Sequence, residues 1–415
     1  MTICPSLGLK ERTALEKTWG DALLSRKMSV VNHCWGLFAL AVLSACQSHS
    51  MEAVPVVTPA ATPMPSAAPS VKTASAPAIA PSSSAPAKPA GALELASPEA
   101  FPLPGATAPV SLDFIFYEAD PKRVWIPAGG TGSVGVFDPA TRRFERVVGF
   151  KTVERENHGK KRVVGPSAGA VGEGFSYIGN RASSEICSVD RRTLHQASCL
   201  KLSAAPDCVE YVPSTHEVWV TTPSAQSIVV LDAAAGGTLK QKSLIKIDGE
   251  PEGYALDEAH GSFLTNLEDK GSTLSIDLHT HAVKETWQAG CAADGPRGVA
   301  VDSARSLVFV ACTDHVQVLD AGHGGTRLGS LDTGAGLDNI EYAPKTGLLY
   351  AAAGKAARLT IARVTASGEL EPVATGATSA GARNAVADES GNVYVAESAG
   401  ARLLVFRTPE LKGSP

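Results

Sequence analysis

The chain lacks several features that would assign it a function at once. Its 415 residues hold 37 lysine and arginine side chains against 42 aspartate and glutamate, a formal net charge of −5, and the sequence pI is about 6.1. No run of basic residues is long enough to neutralise a row of phosphates, which argues against a nucleic-acid role. There is no G-x-S-x-G elbow. Glycine clusters such as AGGTGSVG read as loops between strands, not as strand-to-helix phosphate cradles, so serine-nucleophile and phosphate chemistry are unsupported. Spacings of the Cys-x-x-Cys and Cys-x-x-Cys-His types are also missing, and with them the common zinc and covalent-haem sites. No metal site is assigned, and no motif implies a cofactor.

No apolar stretch reaches the roughly 20 residues that cross a hydrocarbon core as a helix. The uncharged run CWGLFALAV, Cys34 to Val42, reads instead as the apolar region of an export signal, and Leu43-Ser44-Ala45-Cys46 follows it directly. These small residues resemble the lipobox of bacterial lipoproteins, in which the cysteine, here Cys46, is lipidated and becomes the mature first residue. By the same resemblance Gln47, standing where an aspartate would retain the protein at the inner membrane, implies the outer membrane. Residues 1–45 are thus expected to be signal and residues 46–91 a tether. That stretch, as in TPAATPMPSAAPSVKTASAPAIAPSSSAPAKPA, has too few large apolar side chains to offset the entropy of ordering it, and its prolines make it a semi-rigid spacer.

Beyond residue 91 a unit of short strands repeats. Blade five displays it most fully, with GPRGVAVD, SLVFVAC, HVQVLD and TRLGSLDT as four successive strands. The third strand recurs with its last residues at Asp138, Asp190, Asp232, Asp277, Asp320, Arg363 and Phe406, a period of about 43 residues from Asp190 onward, as expected of a propeller. The first interval is longer because KTVERENHGKKR is inserted. Alternating apolar and polar residues make these units β. The reading is an all-β, seven-bladed β-propeller of four-stranded antiparallel blades over residues 92–415. The seventh unit lacks a fourth strand, and ALELA, Ala92 to Ala96, is expected to supply it, since a ring must close its open edge.

On GEPEGYALDEAHGSFLTNLEDKGSTLSIDLHTHAVKETW and GCAADGPRGVAVDSARSLVFVACTDHVQVLD the chain resembles the YVTN-repeat propellers, seven-bladed extracytoplasmic proteins. FVACT, WVTTP and YVAES stand where that family's second-strand motif would be. The resemblance implies the fold and compartment, and function only weakly, because propellers host enzymes, cofactor-transfer proteins and binding scaffolds alike.

Five cysteines follow the tether: Cys187, Cys199, Cys208, Cys291 and Cys312. An exported domain favours pairing. Cys291 with Cys312 and Cys187 with Cys199 are the expected disulfides, with Cys208 left over near the channel; the alternative pairs Cys208 with one of Cys187 and Cys199. His216, His260, His279, His281 and His323 fall in hairpin turns away from the face that propellers use for ligands, and His279-Thr280-His281 reads as a solvated hairpin. At the start of the first strands, which line the channel, stand Asp207, Glu252, Arg297, Asp338 and Arg383, with Asn339 and Asn384 beside the last two. These side chains converge either as a polar pocket, for a small anionic or zwitterionic ligand or for a metal held by Glu252 and Asp338, or as salt bridges that plug the channel.

Two functions are in view. The first is a monomeric lipoprotein of the cell envelope whose propeller binds a small ligand or an envelope protein. The second is a propeller enzyme: a calcium lactonase would use Glu252, Asn384 and Asp338, whereas a quinoprotein would need tryptophans on its cofactor. Trp125, Trp219 and Trp287 read as strand residues facing neighbouring blades.

Overall fold

The computed structural model describes residues 91–408 apart from 158–159, 234–235 and 293. Cys46, the signal and nearly all of the tether lie outside them. Within the described residues seven blades of four antiparallel strands follow one another in chain order, the sixth carrying one added strand. In blade five the strands are Pro296–Asp302, Leu307–Cys312, His315–Asp320 and Thr326–Asp332. The first strands touch one another in sequence around the axis, and that of blade seven, Ala382–Ala387, meets that of blade one, Phe116–Ala119. The chain is a seven-bladed β-propeller.

The middle strands read as continuous apolar runs because both of their faces are covered. Ser262–Leu267 and Leu307–Cys312 are buried throughout, whereas the outermost strand Val283–Gln288 buries only Trp287. The core is correspondingly divided into seven apolar clusters, one in each gap between adjacent blades. Trp125 packs on Ile178 of blade two, Trp219 on Phe263 of blade four and Trp287 on Val308 of blade five.

The aspartates that punctuate the repeat have a mechanical role. Asp138, Asp190 and Asp277 end third strands, and their carboxylates accept backbone N–H groups two and three residues on, such as His279 N at 3.0 Å and Thr280 N at 2.7 Å for Asp277. Each forms an Asx turn that starts the fourth strand. These bonds, together with the hydroxyls of Thr141, Thr193 and Thr280, hold the three carboxyls below their ordinary pKa.

Ring closure differs from expectation by one element. Glu99–Pro102, not ALELA, pairs antiparallel with Arg402–Arg407 as the fourth strand of blade seven. Leu93–Glu94, inside ALELA, instead lies parallel to Leu370–Ala377 as a fifth strand on blade six. Only the later segment brings Phe101 onto Phe137 of blade one, ring centroids 4.8 Å apart. The extra residues after blade one form a hairpin, Val153–Asn157 with Lys160–Val164.

Cys187 is joined to Cys199 across paired strands of blade two, and Cys291 to Cys312 within blade five; Cys208 is a free, buried thiol. A second kind of staple links blades one and two. Glu118, fully buried, accepts from Arg123 Nε at 2.8 Å, from Trp125 Nε1 at 2.7 Å and from Arg191 Nε of blade two at 2.5 Å. Removing one member of such a buried, fully bonded set leaves the others uncompensated. Glu118→Ala is therefore expected to lower unfolding free energy by about 3–5 kcal/mol in urea titrations, and a loss within the scatter of surface substitutions would refute this role.

Candidate functional site

The channel mouth is built by a recurrent irregularity of the innermost strands. In blade four the ladder pairs Glu252 with Asn266 and resumes at Tyr254, skipping Gly253. In blade five it skips Arg297 and Gly298, in blade six Asp338 and Asn339, and in blade seven Arg383. Such bulges bend a strand and re-aim the side chain of the extra residue. They also let adjacent innermost strands approach backbone to backbone. A Cβ on Gly253 would stand 2.1 Å from the Arg297 carbonyl oxygen, and one on Gly298 2.7 Å from that of Asp338. Gly253 also has φ +47°. Asn266 Nδ2 bridges this seam, donating to the carbonyls of Arg297 at 2.7 Å and Gly298 at 3.1 Å.

The charges meet there in a connected chain. Arg181 bonds Asp113 at 2.6 Å and also Asp207; Arg383 bonds Asp113 and Asp338, each at 3.2 Å. Arg297 turns aside to Glu268 at 2.6 Å. Asn339 Nδ2 donates to Asn384 Oδ1 at 2.5 Å, while the enclosed Nδ2 of Asn384 has no partner. Asp113 and Arg181 were not among the expected residues. Asp113 had a signal, since LDFIFY at Leu112 to Tyr117 matches LDNIEY at Leu337 to Tyr342, which places it in register with Asp338. Arg181 had none: it follows the second strand of blade two, Phe175–Asn180, and reaches the mouth by its length. In blade two the first-strand position carries Ser167 where blade five has Arg297, as Gly165-Pro166-Ser167 against Gly295-Pro296-Arg297 shows.

The pairing leaves an excess of carboxylate. Asp113, Asp207 and Asp338 share Arg181 and Arg383, and the Glu252 side chain has neither hydrogen bond nor ion pair among the described residues. Burial, then the charges of Asp113 and Asp338, push Glu252 up to about 8, with Arg181 opposing only in part. Burial acts on Asp113 in the same direction, yet two guanidiniums overcome it and hold that carboxyl low. Asp338 has only a share of Arg383, and burial keeps it raised. Desolvation, with Glu252 nearby, pushes the Cys208 thiol well up. Farther along the innermost strands, burial raises Glu210 to about 7 and Glu341 to about 8, and each carboxylate opposes ionisation of the half-buried Tyr254.

The remaining candidates lie elsewhere. His281 is engaged with Ser243 at 2.9 Å and edge-on to Trp219, and His260 and His323 pair with Asp257 and Asp320. Among the described residues no group of three or more His, Cys, Asp or Glu side chains is placed to hold a metal ion.

No model of a known protein family matches the chain, and no curated protein matches it in sequence. Solved structures do. A chain of the mitotic checkpoint complex is similar at 13% identity and TM-score 0.61, over 76% of this chain and 95% of that one. A chain of Kuenenia stuttgartiensis hydrazine synthase is similar at 17% identity and TM-score 0.60, over 73% and 97%. U3-55K is similar at 9% identity and TM-score 0.59, over 74% and 98%. At such identities the likeness establishes the propeller fold and nothing about chemistry.

Glu252 makes the mouth sensitive to pH. Its folded pKa of about 8 lies above the ordinary 4.5, so between those values the folded protein holds a proton that the unfolded chain releases. Stability should therefore fall as pH rises through this window. Glu252→Gln removes that contribution, so the variant should gain on the wild type between about pH 5 and about pH 9 in urea titrations. Parallel pH profiles for the two proteins would sink the assignment of an uncompensated carboxyl.

Proposed function

We propose that this protein is a lipid-anchored binding module of the bacterial cell envelope, of the YVTN-repeat kind, working through the face that carries the channel mouth. The observation that carries the binding role is the mouth's composition: its arginines are already taken up by carboxylates, while Glu252 is left uncompensated in a partly desolvated cup. A group that donates hydrogen bonds or carries positive charge would complete it, so the ligand is read as a small molecule with an amine.

The envelope location is supported by the lipobox-like Leu43-Ser44-Ala45-Cys46, by the Pro/Ala/Ser-rich stretch after it, and by two disulfides in one domain, a pattern of oxidising compartments. The enzyme alternative is less well supported. Asp338 is engaged by Arg383 and Asn384 by Asn339, so the set with Glu252 does not stand free to converge on one ion. The tryptophans that a quinoprotein would need are packed between blades.

Two measurements test this reading. Cys46→Ala should move the protein from the detergent phase to the aqueous phase on partitioning, and unchanged partitioning would remove the anchor. Calorimetric titration with lysine and spermidine should show binding that Glu252→Gln weakens roughly tenfold or more; no heat from either amine would remove the assignment of the mouth.

A further inference from the structure

The hairpin inserted between blades one and two emerges where the innermost strands begin, on the face of the channel mouth, and it roofs a cavity of about 280 Å³. We propose that this cavity binds a phosphate-bearing small molecule. The inference rests on reading this face as a binding face, and it concerns a neighbouring pocket that meets the mouth at Arg181 and Ser167.

Three observations carry it. Arg155 and Arg162 occupy directly opposed positions of the hairpin's two strands and both line the cavity. Like charges in that register repel. Arg155 has a single hydrogen bond, from its guanidinium to the Arg181 carbonyl at 3.1 Å, and Arg162 has no hydrogen bond or ion pair among the described residues. Elsewhere on the hairpin the chain does neutralise itself, since Lys161 bonds Glu154 at 3.0 Å. The two arginines are thus set side by side without the carboxylates that the neighbouring lysine has.

The second observation is Ser167, which is 7% exposed and lines the same cavity with an enclosed Oγ that has no hydrogen-bond partner. A buried hydroxyl left without a partner is costly, and a phosphate oxygen would accept from it. The third is the bare backbone of the wall. Gly165 and Gly129, both lining residues, approach so closely that a Cβ on Gly165 would stand 2.2 Å from the Gly129 carbonyl oxygen. That contact admits no side chain, so backbone alone forms this part of the wall.

Arg181, the third guanidinium of the wall, is committed to Asp113 and Asp207. The charge without a bonded carboxylate is therefore that of Arg155 and Arg162, opposed by Glu156 of the lining and by the nearby Asp113, which Arg162 helps to hold ionised. Two planar guanidinium forks and a hydroxyl donor suit the several acceptor oxygens of a phosphate dianion better than a single carboxylate.

The test is calorimetric titration of the full chain with inorganic phosphate and with glycerol 3-phosphate, alongside sedimentation with phosphatidylglycerol vesicles. Phosphate or the monoester should bind the wild type. Arg155→Ala and Arg162→Ala should each weaken that binding roughly tenfold or more, Ser167→Ala should weaken it less, and Glu156→Gln should tighten it. Both arginines are exposed, so these variants should keep the wild-type melting temperature in the absence of ligand. Binding of neither small anion, binding that survives loss of both arginines, or binding to vesicles alone would each overturn the proposal. Amine binding at the mouth is read through Glu252→Gln and not through these variants, so the two readings fail separately.

Discussion

Each blade of this protein is apolar on both faces, and no blade is covered until both of its neighbours are in place. Seven separate clusters, one per gap, replace a single core. The gap between blades seven and one has to close like the rest, because an open ring would expose two apolar faces and a bare strand edge. The amino-terminal strand Glu99–Pro102 meets that demand by pairing with the last strand of the chain. Glu118, which enters the gap between blades one and two, is bonded from both blades.

Closure has a consequence at the axis. Innermost strands pressed together leave little room for side chains where they begin, and the bulges with Gly253 and Gly298 accommodate that crowding. The residues they displace are charged, so the geometry that seals the ring also concentrates ionisable groups in a narrow, poorly solvated neck. Guanidiniums shared between carboxylates neutralise most of it. What is left over, the Glu252 carboxyl at the mouth and the arginine pair of the inserted hairpin beside it, lies in two adjoining places on one face.

Much of this was legible in the sequence because it is local and repeated. Asp138, Asp190 and Asp277 mark the period at the ends of third strands, and each caps its own turn within three residues. The Cys187 and Cys199 pairing needs only two neighbouring strands in register. Aligning the repeats was enough to put Asp207, Glu252, Arg297, Asp338 and Arg383 at the start of their first strands. The strand that closes the ring was displaced by one element, because ALELA and EAFP differ little in pattern, and the choice between them depends on whether Phe101 meets Phe137 across the gap.

Pairing within the mouth was not legible, since it depends on reach. Arg181 lies outside the repeat register and yet bonds Asp113 and Asp207, and Arg297 turns outward to Glu268 rather than across the channel. The hairpin showed in the sequence as an insertion of basic residues, but only the fold set Arg155 opposite Arg162 above Ser167. The sequence by itself determined the strand period, the number of blades and which residue types crowd the channel, because hydrophobic alternation and turn chemistry act over a few residues. Tertiary structure alone decided which charges neutralise one another and which remain open, because that depends on side chains from different blades meeting in a closed ring.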